Sequence, residues 1–379
     1  MLSDPTKKFL ILGGYGNTGL LIAEYLLQET DCRIILAGRN IEKAESFTAS
    51  LNHKFKTNRV SAVRVDATNT QSLKNAFDKV DFVIVASSTS EYVRNVAKAA
   101  LSARIDYLDV QFSNTKVDIL MSMKGEIERA GCCFITEGGF HPGLPAALVR
   151  YAASYFDRME KANVGSVIKI NWKELKVSDS TVEEMVKEIL DFQPLSYKNG
   201  KWVKSGWRGF KNFNFGLEFG EQYGVPMFLE EMRPLPELIP SLKEAGFFVG
   251  GFNWFVDYLV MPVGAVALKI LHQKAITPTG RILIWGLKVF CSPPYGTVLL
   301  LEASGWKDEK YKTMRVKLYH EDGYVLTAIP VVACLLQYLD GSIRKPGLWL
   351  QANVVEPNRM LSDMERLGVN VRMGSNLDI

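Results

Sequence analysis

Up to about residue 136 the chain alternates between two hydrophobic patterns. Short, mostly apolar runs at 8–12, 33–37, 60–65, 81–86, 107–110 and 132–136 predict strands, because a strand covered on both faces has little polar side to show. Between them, residues 18–28, 41–51, 71–78, 92–101 and 117–129 carry apolar positions every three or four residues, the spacing of a helix that buries one stripe. Strict alternation of this kind predicts an α/β fold, a doubly wound parallel sheet with strand order 3-2-1-4-5-6. Nothing so regular follows, and the remainder reads as a second, mixed α/β domain. With 379 residues, 47% of them hydrophobic, the chain is long enough for two cores.

The first junction, "FLILGGYGNTGLLIAEYLL" at 9–27, passes from apolar run to glycine turn to helical spacing. Backbone N–H groups at such a helix start, approached closely where side chains are missing, suit the pyrophosphate of a dinucleotide. Gly14, Gly16 and Gly19 fit G-x-G-x-x-G, while Gly13, Gly16 and Gly19 fit the wider spacing of short-chain dehydrogenases. Tyr15, Asn17 and Thr18 complete the turn and count among the cofactor residues. The short-chain reading also needs Tyr-x-x-x-Lys on a helix, and the one match, Tyr197 with Lys201 in "YKNGK", reads as a turn. The alternative to a cofactor site is a tight turn that binds nothing.

The end of the second strand, "IILAGRN", selects between cofactors. Ala37 stands where a carboxylate would hold a ribose 2′-hydroxyl, and Arg39 and Asn40 follow it. A guanidinium binds a 2′-phosphate that a carboxylate would repel, so NADP is expected over NAD, unless Arg39 is a solvated loop residue. Asp66 and Ala67 at the third strand end are expected beside the adenine. Ala86, Ser87 and Ser88 in "ASSTS" at the fourth are expected beneath the ribose and nicotinamide, or as the cap of the next helix; Gln111 ends the fifth.

Other features narrow the picture. A net charge of +4 is too small to mark a nucleic-acid binder, and no nucleic acid is expected as a partner. The five cysteines form no zinc or C-x-x-C pattern, and Cys132 and Cys133 read as buried strand residues, which suits a reducing, cytoplasmic setting. The opening "MLSDPTKKF" shows no apolar core of signal-peptide length. No metal-ligand constellation stands out. "SYKNGKWVKSGWRGFKNFNF" at 196–215 interleaves basic and aromatic residues, as a strand-binding surface or a twisted hairpin would, and Arg208 or a lysine within it could reach a substrate carboxylate. Residues 247–268, "FFVGGFNWFVDYLVMPVGAVAL", carry one charge, Asp257. They read as a buried helix pair or dimer interface, as a surface touching membrane or lipid, or as a span. His141 lies in a glycine-flanked loop past the sixth strand. A neutral imidazole there could donate a proton near pH 7, or merely shape the turn before Pro142.

"TEGGFHPGLPAALVRYAA" at 136–153 resembles the junction after the nucleotide domain in the saccharopine dehydrogenase family, and "GGYGNTG" and "AGRN" are similar to it as well. The tail at 323–369, "GYVLTAIPVVACLLQYLDGSIRKPGLWLQANVVEPNRMLSDMERLGV", is similar to that family's closing pattern. The resemblance covers 8–153 and 323–369 and is loose between them. It implies an NADP-binding Rossmann domain at 1–140, a substrate and dimerisation domain at 141–345, and a segment at 346–379 packing back on the first. It further implies an NADP-dependent oxidoreductase acting on an imine-type or amino-acid-derived small molecule, and a homodimer. "EQYGVPMFLEEMRPLPEL" looks like a substrate-domain strand and turn, with Glu230 and Glu231 as ammonium partners or as a solvated pair. The apolar middle region departs from members that process multiply charged substrates. It leaves open a reductase of lipid or other apolar substrates, or a non-catalytic protein that binds NADP. The substrate is expected among the loops "ASSTS", "QFS" and "GGFHPG" and the second domain's face.

Overall fold

The computed structural model describes residues 7–174, 182, 185–186, 193–205 and 209–374; Arg208 lies outside the described residues. The chain divides into two compact units. The first runs up to Leu144 and takes in Tyr324–Leu367, and the second comprises Pro145–Gly323 and the chain from Gly368 on.

The first unit opens with six strands: β1 (Lys8–Leu12), β2 (Arg33–Gly38), β3 (Val60–Arg64), β4 (Phe82–Val85), β5 (Asp106–Asp109) and β6 (Cys133–Thr136). Helices α1 (Asn17–Glu29), α2 (Ile41–Lys54), α3 (Thr70–Phe77), α4 (Val93–Ala103), α5 (Asn114–Ser122) and α6 (Lys124–Ala130) alternate with them. The described strands pair parallel in the order β3-β2-β1-β4-β5-β6, the expected doubly wound order. Phe9, Leu10 and Ile11 of β1 and Phe82, Val83 and Ile84 of β4 are wholly buried, as central strands covered on both faces must be. Where the periodicity at 117–129 predicts one helix, there are two, meeting at Met123, whose backbone turns to φ −97° and ψ 0°. Met123 is itself buried, so the apolar pattern runs through the break without registering it.

The second unit is built on β7 (Arg158–Lys169), β8 (Leu195–Lys198), β9 (Lys201–Lys204), β10 (Lys211–Asn214), β11 (Glu221–Pro226), β12 (Glu244–Gly250), β13 (Gly296–Lys307) and β14 (Lys310–His320). Its sheet is mixed: β7 pairs parallel with β12 and antiparallel with β13. β8 and β9 form a two-residue hairpin through Asn199 and Gly200, both at positive φ, the backbone that matches strand twist. Its aromatics pack on one another, Trp202 lying 5.6 Å from Tyr197 and 5.0 Å from Phe228, so this part of the basic–aromatic stretch is a folded hairpin. Helix α7 (Pro145–Ala153) precedes the sheet.

The stretch 247–268 is not a single element. Its first residues belong to β12, where Phe247 and Phe248 are buried, and helix begins only at Trp254. A π-helical turn (Val256–Val260) runs into α8 (Met261–Leu271), and after a 3-10 turn at His272–Ala275 the chain continues as α9 (Ile276–Val289). His272, at φ 51° and ψ −129°, breaks the helix.

The chain then re-enters both sheets. Helix α10 (Gly323–Leu339), buried on most of its surface, leads to β15 (Gly347–Leu350), which pairs parallel with β6 as a seventh strand of the first sheet. Helix α11 (Pro357–Arg366) follows, and β16 (Asn370–Gly374) pairs antiparallel with β14 at the edge of the second sheet. The boundaries therefore differ from a division at residues 140 and 345. Helix α10 belongs with the first unit, where the Tyr338 hydroxyl donates to Asp106 at 2.5 Å and the Arg344 guanidinium binds the same carboxylate oxygen at 3.2 Å.

Candidate cofactor site

The loop from β1 into α1 is held tightly and leaves donors free. Gly13 N donates to the Ala37 carbonyl at 2.8 Å, and Gly16 N to the Gly13 carbonyl at 2.9 Å. A Cβ on Gly13 would fall 2.7 Å from the Ala86 carbonyl oxygen, and one on Gly19 would fall 2.3 Å from the Gly13 oxygen. Only glycine lets strand β4, the turn and the helix approach this closely. Helix α1 starts after Gly16 with no side-chain cap, so the N–H groups of its first turn, at Asn17, Thr18 and Gly19, face whatever lies before the helix. A pyrophosphate fits that cradle.

Beyond the ends of β2 and β3 lies a surface hollow of about 490 Å³, lined by Tyr15, Arg39, Asn40, Ile41, Glu42 and Arg64. The Tyr15 hydroxyl accepts from Asn40 N at 3.0 Å, and the Lys43 ammonium sits 5.4 Å from its ring centre. Asn40 caps α2 by accepting from Lys43 N at 2.9 Å. Both arginines are exposed, and neither forms a salt bridge with a described residue. Two unpaired guanidiniums at one hollow are what a 2′-phosphate requires. Arg64, the last residue of β3, escapes a sequence reading because its run counts as strand and its side chain leaves the apolar pattern only at the final position. Asp66 turns back on its own loop, accepting from the Thr68 N–H and hydroxyl, each at 2.9 Å. Those bonds, with the fields of Arg39 and Arg64, hold its carboxyl below the usual range. Ala67 beside it is buried.

The other strand ends are joined to each other. Ala86 N donates to the Leu12 carbonyl at 2.8 Å, and the Gln111 amide donates to the Ser87 carbonyl. The Ser87 and Thr89 hydroxyls bond to each other at 3.0 Å. These hydroxyls do not cap the next helix: neither the 3-10 turn at Ser90–Tyr92 nor α4 has a side-chain cap, and Ser88 makes none. Behind Gln111, a fully buried Lys116 binds the Asp109 carboxylate and the Gln111 carbonyl. Asp109 also accepts from the Tyr107 hydroxyl at 2.9 Å and the Thr136 hydroxyl at 2.7 Å. A buried charge pair with this many bonds fixes the ends of β5 and β6 rigidly. Lys116 sits in a stretch whose helical spacing gives no hint of burial.

The glycine-rich loop after β6 is clamped from far along the chain. The buried Gln351 accepts from Gly139 N at 3.3 Å and donates to the Gly139 and Gly143 carbonyls at 3.3 and 3.2 Å. Gly143 adopts φ +124°, a conformation barred to other residues. His141 is half-buried as a residue, but its Nε2 is shut off from water, and burial pushes its pKa down to about 4. The ring is therefore neutral at pH 7, a hydrogen-bonding group and not a store of protons. Glu137, before the loop, is fully buried at φ +56°. In the second unit, Glu230 pairs with Arg233 at 2.7 Å, and the buried Glu231 accepts from Ala146 N at 3.1 Å at the start of α7. The pair expected to meet an ammonium group is thus occupied by an arginine and by a helix N-terminus.

The stretch of chain that carries this site has counterparts among known proteins. A model of the saccharopine dehydrogenase NADP binding domain matches residues 9–134. The apo saccharopine dehydrogenase (L-Glu forming) of Saccharomyces cerevisiae has a similar fold at 14% identity, with a TM-score of 0.69 over 97% of this chain and 99% of that one. A glutamyl-tRNA reductase of Pelodictyon phaeoclathratiforme is 30% identical over 98 residues, which are 26% of this chain. The match spans only 20% of that reductase's length. The glycine cradle and the two-arginine hollow lie within the matched stretch, so residues 9–134 form an NADP-binding domain of the kind found in saccharopine dehydrogenases.

Proposed function

We propose that the protein is an NADP-dependent oxidoreductase that moves a hydride to or from the C=N carbon of an imine-type, amino-acid-derived substrate. The observation that carries it is the hollow holding Arg39 and Arg64 beside the glycine cradle. When bound, NADPH supplies the hydride. The first-turn N–H groups of α1 would hold its pyrophosphate, and Arg39 and Arg64 its 2′-phosphate. Gln111, fixed by Lys116, sets the position of the Ser87 carbonyl at the end of β4. A protonated imine already carries its proton on nitrogen, so hydride addition asks for no further acid in that step. A neutral His141 suits this chemistry because it offers a hydrogen bond without a charge to repel a cationic substrate.

A second reading, a reductase of lipid or other apolar substrates, is favoured by the exposed apolar side chains of α8 and α9. NADPH consumption across imines, enones and acyl compounds, with titrations of NADPH and NADH, tests both. Turnover of imines is expected, and Arg39→Ala or Arg64→Ala should weaken NADPH by roughly tenfold or more while barely moving NADH, as loss of a charge-assisted bond implies. Turnover of enones or acyl compounds alone selects the second reading. Consumption of none of them leaves a non-catalytic NADP binder, and equal losses for both nucleotides would take the arginines away from the 2′-phosphate.

A further inference from the structure

Two apolar helices of this chain are used in opposite ways. In α10, twelve side chains from Leu326 to Tyr338 are buried. In the helical run Val256–Val289, only 22% of the most apolar 18-residue window is buried. Along the run, Val256, Val260, Leu268, Ala275, Leu283 and Leu287 are buried and hold the two arms against each other and against Trp172. Many of the other apolar side chains point outward. Leu259, Val263, Val266 and Ile270 follow one another at helical spacing on the first arm, and Ile282, Trp285 and Val289 do so on the second. Tyr258 is 77% and Ile270 68% exposed. An outward apolar face this continuous marks an interaction surface.

Its charges say what kind. Lys269, Lys274 and Arg281 are exposed and Lys288 half-buried, none of them in a salt bridge with a described residue, against the single acid Asp257. At the turn between the arms, a hollow of about 320 Å³ is lined by Leu268, Lys269, His272, Gln273 and Ile276, cationic on one side and apolar on the other. The arms are too short to cross a bilayer. Residues 256–271 reach about 24 Å and 276–289 about 21 Å at 1.5 Å per residue, against about 30 Å of hydrocarbon. Apolar side chains backed by exposed cations on a short hairpin have the composition of an element that lies in the headgroup region of an anionic membrane.

We propose that the hairpin formed by residues 256–289 docks the second unit onto a negatively charged lipid surface, its apolar side chains entering the interface and its lysines and arginine meeting the headgroups. This does not depend on the reaction proposed above. Flotation of the full chain with vesicles of phosphatidylcholine, with and without phosphatidylserine, tests it, alongside sedimentation of the free protein. Binding is expected to phosphatidylserine vesicles, weakening as salt rises. Val263→Glu with Ile270→Glu, and separately Lys269→Glu with Lys274→Glu, should each reduce it by roughly tenfold or more, since every altered side chain is exposed. NADPH affinity should be unchanged in both variants, which separates loss of docking from misfolding. Failure to float with any vesicle overturns the proposal. So does sedimentation as a dimer that the Val263→Glu, Ile270→Glu variant dissociates, because the face would then cover a second copy. Flotation untouched by either variant overturns it as well.

Discussion

His141 carries a cost that pH can expose. Its imidazole titrates near 4 in the folded protein against an ordinary 6.5, so burial keeps it neutral where the unfolded chain would bind a proton. A folded pKa below the unfolded one contributes stability above about pH 6.5, and that stability drains away as pH falls toward 4. The shift bounds the loss at about 3 kcal/mol. Urea unfolding at pH 7.5 and 5 should show His141→Gln losing distinctly less stability on acidification than the unaltered chain; equal losses would mean that the histidine titrates freely. At this scale the sequence was legible where a residue's role is local. Gly13, Gly19 and Arg39 follow from a motif read in order. Arg64, Lys116 and Gln351 do not: Arg64 comes beside Tyr15 and Arg39 only through folding, the helical spacing around Lys116 hides its turn back onto Asp109 and Gln111, and Gln351 acts on a loop more than 200 positions earlier.

Among elements, legibility followed repetition. Five alternations of strand and helix reinforce one another, so the parallel sheet and its order could be read from the pattern of apolar residues. The four residues of β15 have no such support: Gly-Leu-Trp-Leu is too short to show a period, and its place beside β6 is set by long-range pairing. The stretch 247–268 misleads for the opposite reason. A buried strand and an exposed helix are equally apolar, and their junction at 251–253 is too short to show as a gap in hydrophobicity. The loop after β6 is an element whose conformation depends on another. Gln351→Ala removes three hydrogen bonds to Gly139 and Gly143 and strands buried backbone groups. The first unit should lose about 2–3 kcal/mol, read as a lower urea midpoint with an unchanged slope. No change in midpoint would show that the loop holds its shape unaided.

For the whole molecule, the last strands decide how much each unit depends on the chain's end. β15 closes one sheet and β16 the other, so two truncations should differ in kind. Ending the chain after Leu367 removes β16 alone and should weaken the second unit while NADPH binding survives. Ending it after Arg344 removes both strands and should abolish NADPH binding too. Retained binding in the shorter chain would make β15 dispensable. The same arrangement bears on how the protein is made. β6 is synthesised about 210 residues before its neighbour β15. At about 5–20 residues per second this is a wait of roughly 10–40 s. Through that interval a nascent chain presents the backbone edge of β6 to solvent, ready to pair with any other extended strand. The ribosome-bound protein is therefore a natural client for chaperones that shield open sheet edges, and the yield of native protein in a cell should follow their supply more closely than it follows the stability of the finished fold.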